Sequence, residues 1–474
     1  MTYPDATRHY INGQWVVPHS AQRKDIINPA DKHVIGQVAL GDAVDADAAV
    51  AAAHAAFESW SQTSVAERLT LLRKINDGLI ARNDELAEAI SAEMGAPKVL
   101  AHEAQAPSGT QHFAETIRVL ENYDFEEKMG STLVRREPIG VCVLITPWNW
   151  PLNQIAVKVA PALAAGCTMV LKPSELAPLD AVIFTQILHD AGVPPGVFNL
   201  VQGDGPGVGD ALTGHRLVDM VSFTGSTRAG IAISQNAAKT IKRVALELGG
   251  KSANILLDDA DFAKAVRKSI HTCMNNSGQS CNAPTRMFVP AARYAEVKAL
   301  AAETVAQISF GNPGDDPVIG PIANAAQFAR VTSLIETAQV EGAELIAGDS
   351  AKPAGLEGYY VSPTIFGRVT HDMTIAREEV FGPVLSILTY DSMDEAIAMA
   401  NDTPYGLSGY VWGSPEKAKA VAARLRTGMV HLNGAGLDTA APFGGYKMSG
   451  NGREWGVYGL EEFLEIKSVY GGAA

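Results

Sequence analysis

Cys281 lies in the stretch NNSGQSCNAP, residues 275–284, where every neighbour is small or polar. A cysteine in a bulky apolar run packs as a small hydrophobe, whereas a thiol among glycine, serine and asparagine is open to a small molecule. Taken alone, these residues leave three roles open: packing, redox chemistry or nucleophilic attack. Cys142, Cys167 and Cys273 sit in strand or helix patterns and read as packing groups. No CxxC pair or regular spacing joins the four cysteines, which argues against a disulfide framework or a zinc site. The 11 histidines form no HExxH, and no metal is expected.

Further chemically capable residues follow short apolar runs. Pro147, Trp148 and Asn149 come after GVCVLIT; Lys172, Pro173, Ser174 and Glu175 close and follow TMVLK; Gly225 and Ser226 follow MVSFT; Glu247 ends RVALE. From Gly140 these runs alternate with segments of helical length, the pattern of an α/β fold with a parallel sheet. Ligands of such sheets bind beyond the carboxyl ends of the strands, where these residues fall. GSTRAG, residues 225–230, opens a helix whose amides can face a pyrophosphate, although a tight strand-to-helix turn reads the same way. Neither GxGxxG nor a GK[ST] phosphate loop is present. In KPSE the carboxylate can hold the ribose hydroxyls of an unphosphorylated adenosine; alternatively Lys172 and Glu175 form an exposed, nearly neutral pair. Their position at a strand end favours the cofactor reading.

The elements that position these residues belong to a chain of 474 residues, long enough for two or three interlocked domains. Hydrophobic residues make up 47% and charged residues 19%, the balance of a folded soluble protein. A net charge of -14 without a basic run excludes a nucleic-acid binder. MTYPDATRHYINGQW shows no signal pattern and apolar stretches such as VAPALAAGCTMVL are short and broken, so a cytoplasmic protein with no membrane partner is expected. DADAAVAAAHAAFESW predicts a helix started by Asp45 or Asp47, leading into helices that run to about Glu121. The region from Gly250 to Phe443 predicts a second α/β domain carrying Cys281.

Seven strings then occur in order: TPWNWP at 146–151, KPSE at 172–175, FTGS at 223–226, LELGGK at 246–251, GQSC at 278–281, EEVFGP at 378–383 and PFGGYKMSG at 442–450. Over nearly its whole length the chain resembles the NAD(P)-dependent, non-acylating aldehyde dehydrogenase superfamily. The resemblance implies a Rossmann-like cofactor domain with a parallel sheet at 1–119 and 138–249. It also implies a second α/β catalytic domain at 250–443, and a small β oligomerisation element at 120–137 and 460–474.

By the same resemblance Cys281 is the nucleophile, attacking an aldehyde carbon to give a thiohemiacetal and, after hydride loss to nicotinamide, a thioester. Asn149 and the Cys281 N–H would hold the oxyanion. Glu247 would activate the hydrolytic water, its setting suggesting burial and a raised pKa. Lys158 and Glu454 would pass the proton to solvent. The cofactor would be held by Ile145, Thr146, Pro147, Trp148, Lys172, Ser174, Glu175, Gly205, Gly209, Phe223, Gly225, Ser226, Leu248 and Gly249. Glu379 would take the nicotinamide ribose and Phe381 would pack beside the ring. Glu175 favours NAD over NADP, which can still bind.

The implied substrate tunnel comprises Trp150, Asn153, Gln154, Val157, Ser280, Asn282, Leu437 and Phe443. Asn153 and Gln154 are polar where the family often has bulky apolar residues, and the loop GAGLDTAA is small, which predicts aromatic or mid-length aldehydes. A carboxylated aldehyde would want a cation, for which Arg286 is open; a trimethylammonium aldehyde would want an aromatic cage, for which Trp150 is the evident candidate. A CoA-acylating semialdehyde dehydrogenase commonly lacks the glutamate base, and a non-catalytic NAD-binding protein on the same fold would have lost Cys281, Asn149 or Glu247. Ester hydrolysis is expected as a side activity. STLVRREP and EEFLEIKSVY resemble strands that pair across subunits, predicting a homodimer or homotetramer; a monodisperse monomer in light scattering would contradict this.

Overall fold

The runs Val141–Ile145, Thr168–Lys172 and Met220–Thr224 are buried at every position, as parallel strands covered on both faces must be. In the computed structural model, which describes residues 3–348 and 353–473, they form the centre of a seven-stranded sheet. Met1, Thr2 and Ala474, the outermost residues of the segments expected from the sequence, lie outside the described residues. The spatial order is Arg243–Glu247, Met220–Thr224, Val141–Ile145, Thr168–Lys172 and Phe198–Leu200, all parallel, followed by the antiparallel hairpin His9–Ile11 and Gln14–Val16. Among the five parallel strands the first in sequence lies beside both the second and the fourth. That reversal opens a crevice at their carboxyl ends, between the loops beginning at Thr146 and Gly225.

A second seven-stranded sheet is built from Ala253–Leu256, Arg286–Pro290, Glu344–Ala347, Thr364–Gly367, Val384–Tyr390, Ser408–Trp412 and Met429–Leu432, with only Glu344–Ala347 antiparallel. The protein is thus mixed α/β with two sheets that are mainly parallel. Glu126–Met129, Thr132–Pro138 and Leu464–Tyr470 make a small antiparallel sheet. Two of the segments expected to pair across subunits therefore pair with each other in one chain, leaving Leu464–Tyr470 at an edge with Ile466 and Tyr470 exposed. Among the described residues no helix is long and apolar enough to cross a membrane, and no group of three or more His, Cys, Asp or Glu is placed to hold a metal.

The first long helix, Ala43–Ser61, is not started by Asp45 or Asp47. Asp42 is its cap: its carboxylate accepts from the Val44 and Asp45 amides, while the Asp45 carboxylate accepts from the Asp42 N–H. Asp45 thus stands at the third helical position of a reciprocal capping box.

A buried carboxylate pair ties two helices together beneath the first sheet. Glu93, near the end of Asn83–Met94, accepts from the Leu179 and Asp180 amides (2.6 and 3.0 Å) at the start of Leu179–Ala191. Asp180 is fully buried, and burial pushes its carboxyl up to about 7; Glu93 is raised by burial and then by Asp180. The folded protein keeps a proton that an unfolded aspartate releases at about pH 3.9. The pair's stabilising contribution is therefore present below that value and lost as pH rises to about 7. Asp180→Asn is expected to raise the melting temperature at pH 8 relative to wild type by about 1–2 °C and to leave a smaller difference at pH 5, read by thermal unfolding at both.

Candidate active site

The thiol sits on a loop whose backbone is bent sharply toward the crevice. After Phe262–Met274 ends, Asn276 and Ser277 adopt left-handed φ values of 53° and 57°, followed by Gly278 at 72°. A Cβ at Gly278 would lie 2.0 Å from the Gly382 carbonyl oxygen, so this position accepts only glycine. Two non-glycine residues held in the left-handed region are strained, and the surroundings fix them: Ser277 Oγ donates to Gly320 O (2.9 Å), Gln279 Oε1 accepts from the Ala323 N–H (2.9 Å), and Gln105 Nε2 donates to Asn276 Oδ1 (3.0 Å). On the other side, a Cβ at Gly250 would come within 2.5 Å of the Cys281 carbonyl oxygen, which explains the second glycine of LELGGK. Cys281 is half-buried and opens onto a cavity of about 500 Å³.

Asn149 is fastened to this loop. It precedes the buried helix Pro151–Ala165, which starts with proline at its first position, where no N–H is needed. Its carbonyl accepts from Asn276 Nδ2 (2.8 Å), and its own Nδ2 donates to Gln279 O (2.9 Å). A side-chain amide nitrogen carries two hydrogens, so one N–H remains for a ligand in the cavity that Asn149 and Cys281 both line. Trp150 Nε1 donates to Ser280 Oγ (2.9 Å), a second tie between the two segments.

The charged groups that act most strongly on the thiol are carboxylates. Burial pushes its pKa up, and the negative charges of Glu379, Glu247 and Glu454 push it further, so sulfur must shed its proton as it attacks. Glu247, 4% exposed, ends Arg243–Glu247 with neither carboxylate oxygen partnered. Burial, and then Glu454, raise its pKa well above the ordinary glutamate range, with Lys158 and Arg453 opposing. Room for this carboxylate comes from the C-terminal segment: a Cβ at Gly444 would lie 2.8 Å from Glu247 Oε1, and Gly450 bridges the Glu247 backbone. Lys158, 1% exposed, donates to Ser222 Oγ (3.1 Å) and to Glu454 Oε1. It is a buried ion pair rather than a side chain snorkelling to the surface.

Around the crevice, Ile145 ends its strand and Thr146, Pro147 and Trp148 follow it; the Trp148 ring stands nearly perpendicular (88°) to Phe381 at 5.6 Å. Ser226 caps Thr227–Ala237, accepting from the Ala229 N–H, and a Cβ at Gly225 would strike the Phe223 ring at 2.5 Å. Leu248 and Gly249 lie opposite, where a Cβ at Gly249 would meet the Glu379 carboxylate at 2.2 Å; Glu379 accepts from the Gly250 N–H (2.8 Å), and burial raises it to about 7. Gly205 and Gly209 bound a single π-helical turn, with Gly209 against the Lys172 stem. Lys172 is not half of an exposed pair. It is buried and donates to Pro173 O and Gly203 O, while Ser174 accepts from Leu176 N and Glu175 accepts from Lys24 (3.3 Å), a residue the sequence reading did not single out. Buried hydroxyls of Thr146 and Thr224 at the crevice lack any partner. An open helix N-terminus, orphaned hydroxyls and side-chain-free glycines fit a bound dinucleotide.

The cavity beside Cys281 is lined by Trp150, Asn153, Gln154, Ser280, Asn282, Leu437 and Phe443; Val157 is buried in the same helix and does not line it. Arg286 supplies no cation there, since its guanidinium is buried and donates to the carbonyls of Lys251, Met399 and Ala400. Trp150 is not the only aromatic: Tyr410, Trp412, Phe443 and Trp455 also face the cavity, as do His112 and His431. Of these the sequence reading named only Phe443; Tyr410, Trp412, Trp455, His112 and His431 carried no local signal, because they arrive from distant segments.

The chain belongs to the aldehyde dehydrogenase family, which it matches over residues 15–469, and it is an oxidoreductase acting on aldehydes. A 3-succinoylsemialdehyde-pyridine dehydrogenase from Pseudomonas sp. is 58% identical over 471 residues, 98% of this chain and 99% of that protein. Among solved structures, a mutant of aldehyde dehydrogenase C from Pseudomonas syringae in complex with NAD+ and octanal superposes with a TM-score of 0.98 at 54% identity, covering 99% of this chain and 97% of the other. Betaine aldehyde dehydrogenase from Staphylococcus aureus in complex with NAD+ gives 0.95 at 37% identity, covering 99% and 95%.

Proposed function

We propose that the protein is a cytoplasmic, NAD-dependent aldehyde dehydrogenase that converts a neutral aromatic or mid-length aldehyde to its carboxylic acid through a covalent intermediate on Cys281. The observation that carries this reading is the convergence of a half-buried thiol and a pinned amide on one cavity, with an unpartnered buried carboxylate acting on the thiol.

The Cys281 thiol gives up its proton to water in the cavity, and sulfur bonds to the aldehyde carbon. The free N–H of Asn149 and the Cys281 amide hold the resulting alkoxide. NAD, when bound, accepts the hydride whose loss turns the thiohemiacetal into a thioester. Residues 146–148, Lys172, Ser174, Glu175, the Ser226 helix end and Glu379 would hold it, with Phe381 and Trp148 walling the ring. Glu247 then takes a proton from water, the hydroxide adds to the acyl carbon, the carbon–sulfur bond breaks, and Lys158 with Glu454 carries the proton outward. The chain is assigned the cofactor role at 1–119 and 138–249, the catalytic role at 250–443, and assembly as a homodimer or homotetramer through 120–137 and 460–474.

The cavity favours neutral substrates because the charged residues on its wall are Glu103, Lys268 and Glu454, with no cluster of either sign. An aryl keto aldehyde of the kind in the Pseudomonas relative's name and an eight-carbon aldehyde both suit an aromatic-walled space of about 500 Å³. The test is NADH formation by wild type and Asn149→Ala across neutral aryl, alkyl, carboxylated and cationic aldehydes. Neutral aldehydes should lead, and the variant should lose about 3 kcal/mol of barrier stabilisation, roughly a hundredfold or more in kcat. Preference for a carboxylated or cationic aldehyde would overturn the substrate class.

A further inference from the structure

Asn153 and Gln154 stand side by side on the cavity wall, where an apolar lining would suit a plain hydrocarbon chain better. Asn153 is half-buried at the third position of Pro151–Ala165, and its Oδ1 lies 2.7 Å from Nε2 of His112, on the neighbouring helix Ala106–Leu120. His112 is 5% exposed and packs against the Trp455 ring at 5.5 Å. Its pKa is lowered by burial, against the opposing effects of the Asn153 hydrogen bond and the charges of Glu454 and Glu115. A neutral imidazole facing an amide oxygen carries its hydrogen on that nitrogen, so Nε2–H donates and Oδ1 is taken. The amide Nδ2 of Asn153 is then turned away from His112 with its two hydrogens to place. Gln154, 6% exposed on the same wall, has a buried Oε1 with no partner. Two adjacent amides thus hold hydrogen-bonding capacity that the protein itself does not fill.

We propose that Asn153, oriented by His112, donates to a neutral hydrogen-bond acceptor on the body of the aldehyde, a ketone oxygen or an aromatic ring nitrogen, and selects aldehydes that carry one. This rests on the aldehyde dehydrogenase reading above. Asn149 and Asn153 line the same cavity, so an aldehyde whose carbonyl meets Asn149 can present an acceptor on its body to Asn153. A carboxylate is a poorer occupant because no cation lies beside Asn153, and Lys268, the one lysine on the wall, is exposed at the rim. An alkyl chain there leaves the amide hydrogens desolvated and unpaired, so an alkyl aldehyde is turned over less efficiently than one that fills them. His112 is a positioning residue; it holds the amide and does not meet the substrate.

The test compares kcat/KM for 4-oxo-4-phenylbutanal and 4-phenylbutanal, which differ by one ketone, with thermal unfolding and NAD binding reporting that each preparation is folded and wild-type octanal turnover reporting the basal activity. Wild type is expected to prefer the ketone by about 10-fold or more, chiefly through KM. Asn153→Leu and Asn153→Ser should both reduce that ratio to near one. His112→Leu should lower it several-fold and His112→Gln, whose amide can still donate to Asn153, should restore it. A wild-type ratio near one, or a ratio that survives in both Asn153 variants, overturns the proposal while octanal oxidation leaves the dehydrogenase reading intact. If wild type oxidises no aldehyde, both readings fall together.

Discussion

Cys281→Ser is expected to lower kcat for aldehyde oxidation by roughly 10⁴-fold or more, the scale seen when a covalent nucleophile is removed. The size of the effect follows from the surroundings of the sulfur. A thiol, even one raised by burial and three carboxylates, lies far closer to ionisation than a hydroxyl, and the same carboxylates oppose a serine alkoxide still more strongly. The charged groups acting most strongly on the sulfur are carboxylates, and Lys158 is paired with Glu454. The substitution is sterically mild, because the side chain opens onto a cavity and the strained backbone before it is fixed by Gln105, Ser277 and Gln279. NAD binding should therefore persist in the variant while NADH formation vanishes, measured by fluorescence titration and by steady-state kinetics on one preparation. Retention of more than a few per cent of wild-type turnover would remove Cys281 from the chemistry.

Glu247→Gln is expected to separate the two halves of the reaction. Thioester formation releases NADH once per site; hydrolysis then needs a base that glutamine cannot supply. Steady-state turnover should fall by about 10²–10⁴-fold, leaving a burst of NADH close to one equivalent per active site in stopped-flow absorbance. The pH profile carries the same information. Because burial and Glu454 raise the Glu247 pKa, the basic form is scarce on the acid side, and wild-type kcat should increase as pH rises through that raised value. The variant should lack this limb. A variant with wild-type steady-state turnover, or with an unchanged pH limb, would assign the base elsewhere.

Much of the scaffold was legible because a parallel strand buried on both faces leaves a continuous apolar run, and because the polar residue that ends such a run falls at the rim of the sheet. Asn149, Gly225 and Glu247 could be placed at one edge on that ground alone. The position of Asp42 as helix cap was not legible, since several aspartates precede the alanine-rich stretch and only the paired hydrogen bonds with Asp45 distinguish them. Nor was the left-handed turn at Asn276 and Ser277, which asparagine tolerates but serine does not favour, and which is held by Gln105 and Gly320 from two remote segments. Gly444 and Gly450 stood out only as part of a glycine-rich motif; that Gly444 makes room for the Glu247 carboxylate and Gly450 for the Leu246–Glu247 backbone is a contact between segments about 200 residues apart. Lys24 beside Glu175, and His112 behind Asn153, are long-range pairs of the same kind. In sequence each is an ordinary charged or polar residue on a solvated or apolar stretch.

The central claim is that the acyl group passes through a covalent bond to Cys281. It is tested most directly by mixing Glu247→Gln with NAD and an excess of octanal, quenching in acid and mapping peptides by mass spectrometry. A mass increase equal to the octanoyl group, on the peptide containing Cys281 and dependent on NAD, is the predicted result. NADH released in a full burst with Cys281 unmodified would contradict the account.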